Sequence, residues 1–310
     1  MNKRLSIISP VYRAENIVDE LVSRIGLALD ETRVDYEIIL VEDGSPDNSW
    51  NKIEENCANN KKVKGVKLSR NFGQHYAITA GVEHASGEYI FIMDCDMQDN
   101  PNSLVLILEE LENGADIVLT KRKKRSHSLF KKLTGYLYNR LIRIISDKRF
   151  DIDGGSMVGF NRKVANAFLK INDKDRLYVQ MLKWLGFKQI YLTVEHNERF
   201  EGKSSYTLYK MLSLALQGIT SHSNKLLKIS VYVGFVISIL SFFIGLLILI
   251  MYFTNGFAPG WPSLFIAIAF ATGVILMSNG IMGLYIGKTF DQVKNRPLYV
   301  VDKILNHDEK

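Results

Sequence analysis

The sequence predicts an α/β protein: a mostly parallel sheet with helices on both faces, followed by membrane-surface helices and a C-terminal two-helix transmembrane hairpin. Three observations point there. Over roughly the first 120 residues, continuous apolar runs alternate with stretches of 3.6-residue apolar spacing, the pattern of βαβ units. The polar clusters that follow the first, second and fourth apolar runs fall at strand ends, on one edge of such a sheet. Late in the chain, two long stretches carry no charge.

In order, Leu5–Ser9 reads as a strand and Asn16–Thr32 as an amphipathic helix. Tyr36–Val41 is a second strand and Asp47–Asn60 a helix; Val63–Leu68 is a third strand and Gln74–Ala85 a helix. Glu88–Met93 is a fourth strand, Ser103–Glu112 a helix with Pro101 just ahead of it, and Asp116–Thr120 a fifth strand. Short β-rich runs bounded by turn residues suit buried parallel strands, and the longer periodic segments suit the helices that cover them.

From about residue 128 to 146, Phe130, Leu133, Leu137, Leu141 and Ile144 recur every three or four positions among basic residues, a basic amphipathic helix suited to a membrane surface. Residues 206–216 repeat the idea. Ile229–Tyr252 and about Trp261–Ile286 then run uncharged, each longer than the ~20 residues a membrane-crossing helix needs. The connecting turn has no Lys or Arg, whereas Lys225, Lys228, Lys288, Lys294 and Arg296 flank the pair. The positive-inside tendency therefore places both termini and the N-terminal domain in the cytoplasm, at the inner (plasma) membrane. Met1-Asn-Lys-Arg leads straight into the first strand, and no signal peptide is expected.

The net charge of +6 is concentrated in Lys121-Arg-Lys-Lys-Arg125 and its continuation to Arg149. On a chain with an apolar hairpin, such a cluster suits anionic lipid or lipid phosphate better than nucleic acid. Cys57 and Cys95 form no disulfide framework and fit a reducing compartment. Cys95 is expected to be structural, alternation turning it into the sheet packing. The histidines show no zinc spacing.

The most informative motif is Asp94-Cys95-Asp96, just past the fourth strand. Two carboxylates one residue apart make an oxygen cage suited to a hard divalent cation, and the cation in turn suits a diphosphate. Gln98 and Asp99 are placed to add oxygens. The first strand ends in Pro10-Val-Tyr-Arg-Ala-Glu15 and the second in Glu42-Asp43-Gly44-Ser45. At the mouth of the same crevice, Asp43 is a candidate nucleotide contact.

With these residues assembled, the chain resembles family 2 glycosyltransferases of the GT-A fold. It is most similar to the polyprenyl-phosphate glycosyltransferases, the group of dolichol-phosphate mannose synthases and bactoprenol glucosyltransferases. The resemblance rests on Ser9–Glu15, Val41–Ser45, Leu68-Ser-Arg-Asn-Phe-Gly-Gln74, Met93–Asp99, Arg199-Phe-Glu-Gly-Lys-Ser-Ser-Tyr206 and Arg296-Pro-Leu-Tyr299. It implies a nucleotide-sugar-binding core over residues 1–125 and an acceptor-side part over 126–227. The hairpin takes 228–287 and a cytosolic tail 288–310. It also implies that Pro10, Tyr12 and Glu15 line the base and ribose pocket with Asp43, and that Gln74 belongs to the donor site. Asp94, Asp96 and Gln98 would hold Mg²⁺ or Mn²⁺, and Arg199 would close over the phosphates.

Three departures stand out. Glu42 replaces a usual Asp, Ser156 stands where an acidic residue commonly follows the glycines, and Ser205 stands where a lysine often precedes the tyrosine, with Lys203 two positions earlier as a substitute. The implied reaction is inverting transfer of a sugar from a nucleotide diphosphate, UDP-sugar or GDP-mannose, to a polyprenyl phosphate such as undecaprenyl phosphate. Arg122 and Arg140 are the candidate cations for the acceptor phosphate. The alternatives are a glycolipid-hydroxyl acceptor and a non-catalytic nucleotide-sugar-binding membrane scaffold. A processive polysaccharide synthase is disfavoured, because Gln-x-x-Arg-Trp is absent. The residues leave the sugar, the base and homo-oligomerisation open.

Overall fold

A computed structural model describes residues 5–30, 32, 34–122, 157–194, 225–255 and 260–306. In chain order the first elements are β1 (Leu5–Val11), α1 (Val18–Asp30), β2 (Tyr36–Glu42), α2 (Ser49–Asn59) and β3 (Val63–Leu68). Then come α3 (Gln74–His84), β4 (Tyr89–Ile92), α4 (Ser103–Glu112), β5 (Ile117–Arg122) and β6 (Val158–Asn161). The remainder are α5 (Arg162–Leu169), α6 (Tyr178–Trp184), β7 (Gln189–Val194), α7 (Lys225–Asn255), α8 (Trp261–Val293) and β8 (Val301–Leu305).

The eight strands form one sheet in the order β7-β5-β6-β4-β1-β2-β3-β8. From β3 through β2 and β1 to β4 the pairing is parallel. The chain winds outward from β1 through β2 to β3 and then returns to place β4 on the other side of β1. That reversal makes the carboxyl ends of β1, β2 and β4 the mouth of a crevice.

The sheet is mostly parallel, as the sequence predicted, with two antiparallel strands. β6 runs antiparallel between β4 and β5, and β8 runs antiparallel along β3. β5 keeps the direction of β4 without touching it and pairs in parallel with β7. Neither β6 nor β8 is among the predicted strands; their four and five residues are placed by pairing with strands distant in the sequence, which local spacing does not record.

Each strand serves two cores, because successive side chains point to opposite faces. Leu5, Ile7 and Val11 of β1 join α1, α2 and α4 in one cluster, with Leu21, Ile25, Ile53 and Ile107 at its centre. Ile8 faces the other way and packs with α3, α5 and α6 through Ile78, Val164, Phe168 and Met181. Burying a large aliphatic side chain of this kind stabilises by roughly 1.5–3 kcal/mol, so the two layers hold the strand ends that carry the polar clusters.

At the opposite edge lies a buried ion pair. Lys64 Nζ stands 3.0 Å from Glu37 Oε2, with side chains 4% and 0% exposed. Glu37 Oε1 accepts Ser6 Oγ, Ser86 N and Ser86 Oγ, each at 2.7 Å, so the charge is buried with hydrogen bonds around it.

The chain divides into two compact units. One comprises Met1–Ser126, Asp151–Ser204 and Arg296–Lys310, the other His127–Phe150 and Ser205–Asn295. In the second unit, α7 and α8 have 31 and 33 residues and contact one another. At 1.5 Å per residue each is about 45–50 Å long, more than the ~30 Å hydrocarbon core of a bilayer. Both are long and apolar enough to cross a membrane. Phe235, Phe242 and Leu276 project with 65%, 68% and 65% of their surface uncovered by the chain, an arrangement that suits a lipid environment. The two amphipathic segments, 128–146 and 206–216, lie outside the described residues.

Candidate active site

The carboxyl ends of the central strands open onto a cavity of about 410 Å³. β1 contributes Pro10, Val11 and Tyr12, and the end of β2 contributes Asp43. The loop after β3 contributes Asn71, Gly73 and Gln74; the end of β4 contributes Asp94, Cys95 and Asp96. Tyr12 is 43% exposed, so its ring is open to a ligand at the rim. All of these residues belong to the first compact unit.

Backbone geometry dictates these positions. Gly44 has φ +61°, the left-handed region that favours glycine, and a Cβ there would stand 2.2 Å from the Asn71 backbone nitrogen. The turn after β2 can therefore lie directly on the loop after β3. Glu42 is buried and its Oε1 accepts the Ser45 N–H, closing that turn. Gly44→Ala combines a left-handed strain of about 1–2 kcal/mol with a backbone clash. We expect it to lower the thermal midpoint of the full-length protein and to weaken nucleotide binding together; unchanged values of both would contradict the close approach.

Asp43 is 3% exposed and accepts two backbone amides, Phe72 N at 2.7 Å on Oδ1 and Gly73 N at 2.8 Å on Oδ2. Burial pushes its carboxyl up, while those two amides and the nearby Arg70 charge pull it down. Its side chain thus shapes the wall of the cavity by holding the Asn71–Gly73 loop. Gln74, which opens α3, donates Nε2 to Asp94 Oδ1 at 2.6 Å and so links that loop to the acidic pair.

Asp94 and Asp96 both border the cavity. Asp96 Oδ1 accepts the backbone N–H of Gln98 at 3.1 Å, across Met97 in a left-handed conformation at φ 60°. Gln98 thereby reaches Asp96 through its main chain, and it is not among the cavity-lining residues. Cys95 packs against the core cluster of β1 and α4 while also bordering the cavity. Burial, and after it the Asp94 charge, push its thiol up to about 12, which favours the neutral thiol near neutral pH.

Glu15 stands apart from the cavity lining. Its carboxylate accepts Asn48 N at 2.9 Å and its own N–H donates to Asp47 Oδ2 at 3.3 Å, so it braces the loops behind the rim. Asp47 also accepts Ser45 Oγ at 2.5 Å and Ser49 Oγ at 2.6 Å. Burial pushes the Asp47 carboxyl up, but these hydrogen bonds outweigh it and hold it below its ordinary value. Arg122 closes β5, whose carboxyl end points to the same sheet edge. Arg140, Lys203, Arg199 and Ser156 lie outside the described residues.

His75, next to Gln74, is packed with its ring 5.6 Å from that of Tyr178. Burial, then the Arg176 charge, pull its imidazole down to about 4. It is neutral and a weak base at physiological pH.

Two carboxylates on a solvent-accessible cavity are a hard-oxygen donor set. Among the described residues no group of three or more His, Cys, Asp or Glu forms a closed metal cage. This set fits Mg²⁺ or Mn²⁺ of the kind bound by one or two carboxylates together with substrate phosphates and water, and it does not fit a structural zinc site.

Residues 6–169, more than half of the chain, match the family model Glycosyl transferase family 2. This chain belongs to that family. The uncharacterized glycosyltransferase YkcC of Bacillus subtilis (strain 168) is 35% identical over 307 residues, 98% of this chain and 95% of the relative. An uncharacterized glycosyltransferase of Synechocystis sp. is 32% identical over 306 residues, 98% and 96% of the two chains. Mannosyl-3-phosphoglycerate synthase from Rubrobacter xylanophilus shares the fold, with a TM-score of 0.50 and 13% identity over 70% of this chain and 72% of that one. The mixed eight-stranded sheet is of the GT-A type, and the chain is a family 2 glycosyltransferase.

Sequence reasoning singled out the carboxylates of this family 2 site and did not single out Asn71 or Gly73 as cavity residues. Their signal was present in Leu68–Gln74: a loop with an Asn-Phe-Gly run directly after a strand and before a helix. Gly73, at φ +107°, supplies the turn that aims α3 at the cavity.

Proposed function

We propose that this glycosyltransferase moves a sugar from a nucleotide diphosphate, UDP-sugar first and GDP-mannose second, to a polyprenyl phosphate at the inner face of the plasma membrane. The observation that carries the proposal is one cavity bordered by Tyr12, Asp43, Gln74, Asp94 and Asp96, on a chain that also holds two bilayer-length apolar helices.

The roles follow from chemistry. Pro10, Tyr12 and Asp43 face the nucleoside, with Glu15 bracing the loops behind. Asp94 and Asp96, with Gln98 beside them, would hold Mg²⁺ or Mn²⁺ against the diphosphate. Such a cation, when bound, stabilises the negative charge that grows on the departing diphosphate. Gln74 orients Asp94 through their hydrogen bond. Arg199 and Lys203 supply further positive charge to the leaving group.

A lipid phosphate oxygen attacks the anomeric carbon from the face opposite the diphosphate. The new carbon–oxygen bond forms as the bond to the diphosphate breaks, the configuration inverts, and nucleoside diphosphate leaves with the electron pair. The nucleophile is already an anion, so no strong general base is required. A serine at position 156 is compatible with this acceptor and less so with a hydroxyl that must lose a proton. Arg122 and Arg140 match the acceptor phosphate, since a guanidinium fork pairs with two phosphate oxygens. The active domain and both termini then lie in the cytoplasm.

The test is a donor panel. Full-length protein in nanodiscs is given undecaprenyl phosphate, Mn²⁺ or Mg²⁺, and UDP-glucose, UDP-N-acetylhexosamines or GDP-mannose, with release of UDP or GDP measured. The expected result is lipid-dependent release with one donor and an acid-labile glycolipid product. Release that does not depend on the lipid phosphate would overturn the acceptor, and no release with any donor would overturn the reading as a whole.

A further inference from the structure

The motif Arg296-Pro-Leu-Tyr299 begins three residues after α8 ends and has no part in the chemistry above. The chain turns there at Asn295, in a left-handed conformation with φ 45° that asparagine tolerates. Residues 296–300 then meet the loop that carries Asn71, Gly73 and Gln74, directly at its start and through Lys174 at its far end.

At the start of the loop, Ser69 donates its backbone N–H to the Val300 carbonyl at 2.9 Å. At its far end, Tyr76, in the first turn of α3, donates its hydroxyl to the Lys174 carbonyl. The Lys174 ammonium in turn donates to the Arg296 carbonyl. Tyr299 adds a third tie, its hydroxyl donating to the Glu83 carboxylate further along α3. Between these ties lie the amides that Asp43 accepts and the Gln74 side chain that reaches Asp94.

We propose that residues 296–300, with Lys174 as the bridge, are positioning residues for the donor site: they hold loop 69–76 where Asp43 and Asp94 need it. The proposal rests on the reading of this cavity as the nucleotide-sugar site. General adhesion of the tail needs no such contacts, because β8 already pairs with β3 over Val301–Leu305. The bonds from 296–300 go instead to the loop, to α3 and to Lys174. Gly73, at positive φ, has more backbone conformations open to it than any other residue type, so ordering this loop carries a larger entropy cost. Fixing it in advance reduces the ordering cost of binding a ligand. The holding segment directly follows the apolar hairpin in the sequence.

The test uses the full-length protein in nanodiscs, with Lys174→Met, Tyr299→Phe and the conservative Lys174→Arg. None of these residues borders the cavity. The probes are UDP with Mn²⁺ and, in parallel, GDP with Mn²⁺, titrated calorimetrically; amide hydrogen exchange is followed in the same samples. Lys174→Met and Tyr299→Phe should each weaken binding of the preferred nucleotide about fivefold, as expected for one lost hydrogen bond. Lys174→Arg should restore it, and exchange should quicken at Phe72 and Gly73 while β1 and β2 stay protected. Unchanged affinity in the variants overturns the proposal. So does weaker affinity with exchange accelerated equally through β1 and β2, which is loss of overall stability. If wild-type protein binds neither nucleotide, the donor-site reading itself fails, and this proposal with it.

Discussion

Asp96→Ala is expected to reduce sugar transfer by at least about 10²–10³-fold, the usual cost of removing one group that stabilises charge developing in a transition state. The substitution is expected to leave the fold standing, because Asp96 sits at the cavity with a partly exposed side chain; its Oδ1 accepts the Gln98 amide two residues on. That bond is worth about 1 kcal/mol. The measurement is turnover of labelled nucleotide sugar onto polyprenyl phosphate by the full-length variant, with the thermal midpoint taken in parallel. Wild-type turnover in the variant would remove Asp96 from the metal site. Lost turnover with a collapsed midpoint would show that Asp96 holds the loop instead.

The second large effect concerns stability. Glu37→Gln keeps an acceptor toward Ser6 and Ser86 but leaves the Lys64 ammonium buried without its carboxylate. Breaking a buried pair in this way costs about 3–5 kcal/mol, or roughly 10 °C in midpoint for a domain of this size. Activity should fall only as far as the folded fraction falls, since Glu37 lies at the sheet edge away from the cavity.

The same group sets an acid limit. Burial pushes the Glu37 carboxyl up, but hydrogen bonds from Ser6, Ser86 and Lys64 outweigh it and hold the group at about 2, below its ordinary 4.5. A depressed carboxyl contributes stability that is complete above its unfolded value and is lost as the pH falls through the folded one. Glu37 should therefore make the wild type lose on the order of 3 kcal/mol between about pH 4.5 and 2, a loss absent from the Glu37→Gln variant. Parallel midpoint-versus-pH curves for the two proteins would show the pair to be dispensable.

How much of this was legible beforehand depends on the range of the interaction. The first four strands and the helices between them follow from local pattern, because each strand is buried on both faces and α1 and α2 on one, while α3 is buried all round over Ala77–Val82. Val158–Asn161 could not be read this way: its place between β4 and β5 depends on pairing with two distant strands. Val301–Leu305 pairs with Val63–Leu68 across the two apolar helices, a partnership that no local spacing records. In the site, Asp43, Asp94 and Asp96 were visible as carboxylates at strand ends. Glu15 is likewise a carboxylate near a strand end and Gln98 an oxygen-bearing side chain beside the acidic pair, yet the loops turn Glu15 toward Asn48 and bring Gln98 to Asp96 through its backbone amide.

Residue type and spacing along the chain were enough to establish an α/β domain with an acidic motif at a strand terminus and an apolar hairpin behind it, because burial and chain stiffness act over a few residues. Long-range pairing settled which polar groups share a cavity. The reversal of strand order at β1, the contact of Gly44 with Asn71, and the return of residues 296–306 to the β3 edge are packing events between segments far apart in the chain. Their energies depend on close approach in three dimensions, which spacing along one dimension does not encode.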